Sequence, residues 1–241
     1  MVKVAENVYA VLGLFHPLGV NAGFIVTSDG VVVVDSGWTT DSALTILGYA
    51  KAASRGKSVK YLIWTEHHSD HIFGSCVFVR EGAKIIAHRN ALLFLKDIGG
   101  IKNYVEFMKE KMKNESKGFS VADVVFEGVE EVEPDIVVES ERVLEVGNTE
   151  ILLIPLPGHT PSNMVVYLPQ HRVLFSGDAI YSKYPPNARF STRKLIEEWI
   201  EGLEKLLELK IDVIVPGHGP LCGKSEIERN LRYLKSLLSA K

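Results

Sequence analysis

Cysteine is scarce in this 241-residue chain. Only Cys76 and Cys222 occur, too few for a disulfide framework and in keeping with a reducing compartment. Apolar runs are short: Val31–Val34 is strand-sized, far below the ~20 residues that a membrane helix needs. Neither sign of charge dominates, with 27 Lys and Arg against 30 Asp and Glu, so there is no basic footprint for nucleic acid. Glu6 and Asn7 interrupt the N-terminal stretch before an apolar signal-peptide core can form. These absences point to a cytoplasmic protein with a small-molecule partner, not a nucleic acid or a membrane, and leave oligomeric state unspecified. What is present is an ordinary core-forming composition, 46% hydrophobic, enough for one catalytic domain over residues 1–241.

Strand-like segments rich in Val, Ile and aromatics occupy Val8–Leu12, Phe24–Thr27 and Val31–Asp35, and the turn-rich stretch Gly13–Ala22 between the first two reads as an apolar flap. A helix is predicted over Thr40–Ala53, a strand over Val59–Thr65, and a helix from Asp70 to about Arg80. A short strand Lys84–Ala87 precedes a helical stretch Ala91–Lys113 broken at Gly99-Gly100. The charged run Lys102–Lys117 reads as a solvated face in preference to a binding element. Strands follow near Ile136–Glu139, Arg142–Val146, Ile151–Leu156, Met164–Leu168, Arg172–Phe175 and Val213–Val215, with helices over Leu195–Leu209 and Ser225–Leu238. Strands grouped with helices in each half imply an α/β (α+β) fold, an αββα four-layer sandwich with ligand-bearing loops at one sheet edge.

The chemistry concentrates in Thr65-Glu66-His67-His68-Ser69-Asp70-His71, where four metal-ligand side chains fall within six positions. At the end of the strand, alternation puts Glu66 and His68 on one side and His67 away, toward solvent or behind the ligands. Asp70 begins the next helix, and His71 can turn back to the same pocket. Three later segments each close a strand with one more ligand type: Pro157-Gly158-His159, Ser176-Gly177-Asp178 and Pro216-Gly217-His218. A lone Gly-His is usually a turn, but together with the first cluster these form a constellation.

That constellation resembles the metallo-β-lactamase superfamily, with its His-x-His-x-Asp-His motif, a Gly-His, a strand-end Asp or Cys and a final Gly-His. The likeness also takes in Val34-Asp35-Ser36-Gly37 and Pro157–Pro169, and in motif spacing it is nearest the zinc β-lactamases. Two positions depart from them: Glu66 stands where the motif has its first His, and Asp178 where those enzymes have Cys. The resemblance implies Glu66, His68 and His159 for one divalent metal, Asp70, His71 and His218 for another, and Asp178 bridging, with Asp70 also in a catalytic role. Zinc is foremost, and the hard carboxylate of Glu66 brings Mn2+, Fe2+ or Co2+ into contention. Such a pair of ions lowers the pKa of a shared water from about 15.7 toward ~7 and supplies hydroxide to cleave an ester, lactone, thioester, β-lactam or phosphodiester bond. The alternatives from other classes are a di-iron oxidoreductase and a non-catalytic metal-binding module.

Around this set, Phe15 and Leu18 on the flap and Tyr181, Lys183 and Asn187 after Asp178 are candidate substrate contacts. Asp35 is a candidate for orienting a ligand histidine from behind. His16 reads equally as a substrate contact or a solvated loop histidine, and His88, His171 and Cys222 are left outside the site.

Overall fold

A computed structural model describes residues 1–115 and 121–239. The last residues of the charged run, 116 and 117, lie outside the described residues. Along the chain the strands are β1 Val2–Ala5, β2 Val8–Leu14, β3 Val20–Val26, β4 Val31–Val34, β5 Val59–Ile63, β6 Lys84–His88, β7 Ile136–Val138, β8 Arg142–Val146, β9 Thr149–Pro155, β10 Met164–Leu168, β11 Val173–Tyr181 and β12 Val213–His218. The helices are α1 Thr40–Ser54, α2 Ser69–Ile72, α3 Ser75–Arg80, α4 Arg89–Ile98, α5 Ile101–Glu115, α6 Ala122–Val125, α7 Arg193–Leu206 and α8 Lys224–Ser239. No helix among the described residues is long and apolar enough to cross a membrane.

The strands form one sheet in the order β1-β2-β3-β4-β5-β6-β7 and a second in the order β12-β11-β10-β9-β8. Because side chains alternate along a strand, each sheet feeds two cores. Val31 and Val33 face a core shared with α1, α3, α4 and α5, while Val32 and Val34 face the space between the sheets. In the other sheet Met164, Val166 and Leu168 meet them there, while Val165 and Tyr167 turn outward onto Trp199, Leu203 and Ile227 of α7 and α8. Three apolar layers between four layers of backbone give the predicted αββα sandwich. Its strands are buried on both faces, hence near-continuous Val and Ile.

Local chemistry corrects several expected boundaries. The helix predicted from Asp70 to Arg80 splits into α2 and α3 at Gly74, where a Cβ would strike the Ser36 carbonyl and the Ala43 side chain. The Gly13–Ala22 flap contracts to a hairpin tip over residues 15–19, because β2 and β3 pair as far as Leu14↔Val20. Leu14 itself belongs to the core, whereas Phe15 and Leu18 are 58% and 52% exposed. Strand β11 runs well past the predicted Phe175 through register shifts at Gly177, whose Cβ would collide with Thr65, so Asp178 lies within the strand. Strands β1 and helix α6 were not expected from the sequence.

Candidate metal centre

The site forms where β5 gives way to α2, opposite the ends of β11 and β12. β5 ends at Ile63, so residues 64–68 descend as a loop and not as a continuing strand. Asp35, at the end of β4, anchors that loop: its Oδ1 accepts the Thr65 N–H at 2.8 Å and its Oδ2 the Thr65 hydroxyl at 2.7 Å. The loop is tied to the second sheet by the Met164 N–H donating to the Thr65 carbonyl at 2.8 Å.

This scaffold brings all seven predicted ligand residues together. One triple comprises Glu66, His68 and His159, another His71, Asp178 and His218, and within each the ligand atoms lie within 4.8 Å of one another. Asp178 faces both: its Oδ1 is 3.4 Å from Nε2 of His71 and of His218, and its Oδ2 is 3.5 Å from Nε2 of His159. Asp70 reaches the second triple, with Oδ2 3.2 Å from His218 Nε2. Three of the histidines are fixed from behind. Nδ1 of His71 pairs with Asp35 Oδ2 at 2.8 Å, that of His159 donates to the Asn187 carbonyl at 2.6 Å, and that of His218 to the Gly19 carbonyl at 2.7 Å. Each anchor turns Nε2 inward, the arrangement by which outer groups orient metal-binding imidazoles.

A residual demand for cations shows in the buried atoms. Both carboxylate oxygens of Glu66, Nε2 of His71 and Oδ1 of Asp178 are buried without a hydrogen-bond partner. His68 Nδ1 stands 2.8 Å from Glu66 Oε2, but outside hydrogen-bond geometry. An unsatisfied buried group costs ~1–3 kcal/mol, more when charged, so converging orphans of opposite polarity fit a metal-binding cluster. Burial pushes the Glu66 carboxyl up, but His68 and His159 outweigh it and hold it at about 2. Burial likewise raises Asp178 and is overcome by His218 and His71, which keep it well below the carboxylate range. Burial lowers His218, yet Asp178 and Asp70 push it up to about 11, and Asp35 and Asp70 raise His71 against the same penalty.

These shifts set the sign of a pH effect. A folded-state value above that of a free imidazole keeps His218 protonated in metal-free protein until the pH rises through about 11. Metal uptake near neutrality must therefore expel protons from His218 and His71, and apparent affinity should fall as the pH is lowered. Calorimetric metal titration in buffers of differing ionisation enthalpy should detect that release; uptake with no proton release at pH 7 would show that both histidines are already neutral before metal binds.

His67 stays out of the ligand set but does not face solvent. It is buried, its ring stacked 3.9 Å from that of Phe94 and its Nδ1 2.7 Å from Ser162 Oγ. Burial and His68 push it down to about 3, so it remains neutral.

A cavity of about 360 Å³ opens over the cluster, and its lining sorts the other candidates. Leu18, Tyr181 and Asn187 line it, and the Tyr181 hydroxyl donates to Asp178 Oδ2. Phe15 lies instead in a neighbouring groove, stacked on Trp38 with centroids 6.0 Å apart. Lys183 is exposed, in a left-handed backbone conformation, and lies outside the lining. The charged helix α5, expected to be solvated, supplies Tyr104, Met108 and Lys111 to the cavity wall. Their spacing of four and three residues marks one helical face, a signal that the surrounding charges obscured. The hairpin also delivers His16, whose Nε2 is 3.7 Å from Asp70 Oδ2. Burial lowers its pKa despite Asp70. His88 caps α4, accepting the Asn90 N–H at 3.2 Å.

Comparison with known proteins agrees with this geometry. The chain is 24% identical over 235 residues to a linear primary-alkylsulfatase of a Pseudomonas strain, covering 89% of the chain but 44% of that longer protein. It is 28% identical over 233 residues to a metallo-beta-lactamase type 2 of a Bacillus strain, covering 95% of the chain and 78% of the relative. A metallo-beta-lactamase family protein from Thermus thermophilus shares the fold, with a TM-score of 0.74 and 21% identity over 99% of this chain and 82% of the other. The sequence pattern of the metallo-beta-lactamase superfamily matches residues 16–218, and the chain belongs to that superfamily as a hydrolase-type enzyme.

Proposed function

We propose that the protein is a dinuclear metal-dependent hydrolase of small esters, with lactones, thioesters, β-lactams and phosphodiesters as the related bonds within its chemistry. The observation that carries this reading is Asp178, whose two carboxylate oxygens face two separate ligand triples beneath one open cavity. Two divalent ions bound there would supply an activated water and polarise the scissile carbonyl or phosphoryl oxygen. Glu66, His68 and His159 would hold one, and Asp70, His71 and His218 the other. The Tyr181 hydroxyl fixes the Asp178 carboxylate through Oδ2. Asp70, whose side chain is 11% exposed to the cavity, is placed to accept a proton from the attacking water and orient it. Leu18, Met108, Tyr184 and Phe190 offer apolar wall, and Lys111, which makes no ion pair among the described residues, offers an ammonium to an anionic substrate group.

The test is a panel run on metal-loaded protein: a lactone, a thioester, a phosphodiester, a β-lactam and a primary alkyl sulfate, the last two chosen from the names of the relatives. Ester-type turnover is expected, abolished by a chelator and restored by added metal, with a lower KM for substrates that carry a carboxylate. Full activity in verified metal-free protein would overturn the mechanism.

Glu66 sets the expected metal preference. Imidazole suits zinc, whereas a carboxylate oxygen makes manganese, iron and cobalt more competitive. Glu66→His should raise the zinc-to-manganese affinity ratio, on the order of tenfold. It should also move the activity optimum to lower pH, since removing one negative charge leaves a stronger Lewis-acid site. Metal content and pH-rate profiles after reconstitution with each ion check this. Identical profiles and metal preference in both proteins would show that Glu66 does not ligate.

A further inference from the structure

We propose that His16 is an additional metal ligand, binding through Nε2 the ion held by Asp70 and His218 and so tethering the β2–β3 hairpin to the metal centre. This rests on the dinuclear reading above but adds a ligand from an element outside the sequence motifs. His16, Asp70 and His218 form a third triple whose ligand atoms all lie within 4.8 Å of one another. The separations are 3.7 Å from His16 Nε2 to Asp70 Oδ2 and 3.2 Å from Asp70 Oδ2 to His218 Nε2. Both are shorter than the ~4.1 Å that two ligands of one ion can span with metal–ligand bonds of about 2.0–2.1 Å.

The hairpin is bolted in place, so this is more than the chance approach of a loose tip. Asn21 Nδ2 on β3 donates to the carbonyls of Pro216 at 2.9 Å and Gly219 at 2.8 Å, on both sides of His218. Gly19, at the base of the tip, accepts from His218 Nδ1. One hairpin therefore grips His218 from behind and presents a second imidazole in front, the two rings 5.1 Å apart. The Trp38 ring meets His16 edge-on at 5.1 Å and restricts its swing.

Ligation has a structural cost that makes it observable. His16 Nδ1 accepts a long 3.3 Å hydrogen bond from the Leu18 N–H, which places the imidazole proton on Nε2. Binding metal at Nε2 moves that proton to Nδ1, so the Leu18 amide loses its acceptor and the tip must readjust. With His71 and Asp178 alongside, His16 brings the protein ligands of this ion to a number that suits a metal of higher coordination than tetrahedral zinc, in line with the preference argued for Glu66.

The experiment compares wild type, His16→Ala and, as a hairpin-tip control, Phe15→Ala. Affinity is measured by chelator competition with Co2+, and ligand count by paramagnetic NMR of the Co2+ protein. Wild type should show one more hyperfine-shifted imidazole N–H resonance than His16→Ala. The weaker of the two Co2+ sites should lose at least the roughly 10-fold in affinity that removal of even an outer partner costs. Phe15→Ala should match wild type in both. If wild type binds two ions and His16→Ala gives the same affinities and the same resonances otherwise assigned, His16 is not a ligand while the dinuclear reading stands. A fall in affinity without loss of a shifted resonance also overturns it, since His16 then acts from outside the coordination sphere. Wild type that binds no Co2+ overturns both.

Discussion

Asp178→Ala is expected to loosen both ions together and to lower kcat/KM by ~10³-fold or more. Metal polarisation and an activated nucleophile supply several kcal/mol of barrier lowering, and each 1.36 kcal/mol is about tenfold in rate. The carboxylate stands 3.4 to 3.5 Å from histidines of both triples, nearer than Glu66, whose Oε1 is 3.8 Å from His71 and from His159. Its neighbourhood is built around it: a Cβ at Gly217 would fall on Asp178 Oδ1 and lie 2.7 Å from the Gly177 carbonyl carbon. The comparison is His67→Ala. That change removes a ring stack on Phe94 and a hydrogen bond to Ser162, so it should cost about 1–3 kcal/mol of stability while leaving metal content intact. Metal analysis and turnover on the two purified variants distinguish them. Asp178→Ala that keeps both ions and stays within tenfold of wild-type turnover would show that the carboxylate does not bridge.

The ligand set was legible because four ligand types crowd into residues 66–71 and each of the other three follows a Gly. The clustered ligand types and the family resemblance together pointed to Glu66, His68, Asp70, His71, His159, Asp178 and His218, and the fold brings all of them to one place. Glu66 and His68 face one way and His67 another, as strand alternation would have them, but no strand runs through them. The strand ends before them, and the loop owes its shape to Asp35 and Met164, contacts too distant in sequence to be read from a period. The cavity wall was less legible for the same reason. Lys111 and Tyr104 sit in a run whose charge describes its solvent face, and only packing of α5 beside the cluster shows where the other face goes. Lys183, close in sequence to Asp178, is exposed and outside the cavity lining, while His16, remote in sequence, reaches the centre because a hairpin returns it there.

Asp35 joins fold to function most directly, and its removal carries the second large expectation. Its backbone adopts φ 59°, a left-handed conformation that Asp and Asn tolerate better than most residues. Its carboxylate accepts from the Thr65 N–H, the Thr65 hydroxyl and His71. Burial pushes the Asp35 carboxyl up, while the same carboxylate holds His71 up. Because Asp35 already accepts from Thr65 on both oxygens, the proton shared with His71 belongs on the imidazole Nδ1. Asp35→Ala strands three buried donors and forces a β-carbon side chain with no polar group into a positive φ. The expected loss is about 3–5 kcal/mol, a fall in Tm of roughly 6–20 °C for a chain of this size. Asp35→Asn separates that structural role from the chemical one. Its amide oxygen can still take the Thr65 N–H, so most stability should be retained. Its NH2 group, facing His71, makes Nδ1 an acceptor, so the neutral imidazole keeps its one proton on Nε2, where it blocks ligation. Asp35→Asn should therefore fold and bind one ion well, through Glu66, His68 and His159, while the affinity of the other position drops by ~10- to 100-fold. Thermal melts paired with metal stoichiometry read both effects. If the Asn variant binds two ions as tightly as wild type, Asp35 holds the loop in place and has no part in setting the tautomer of His71.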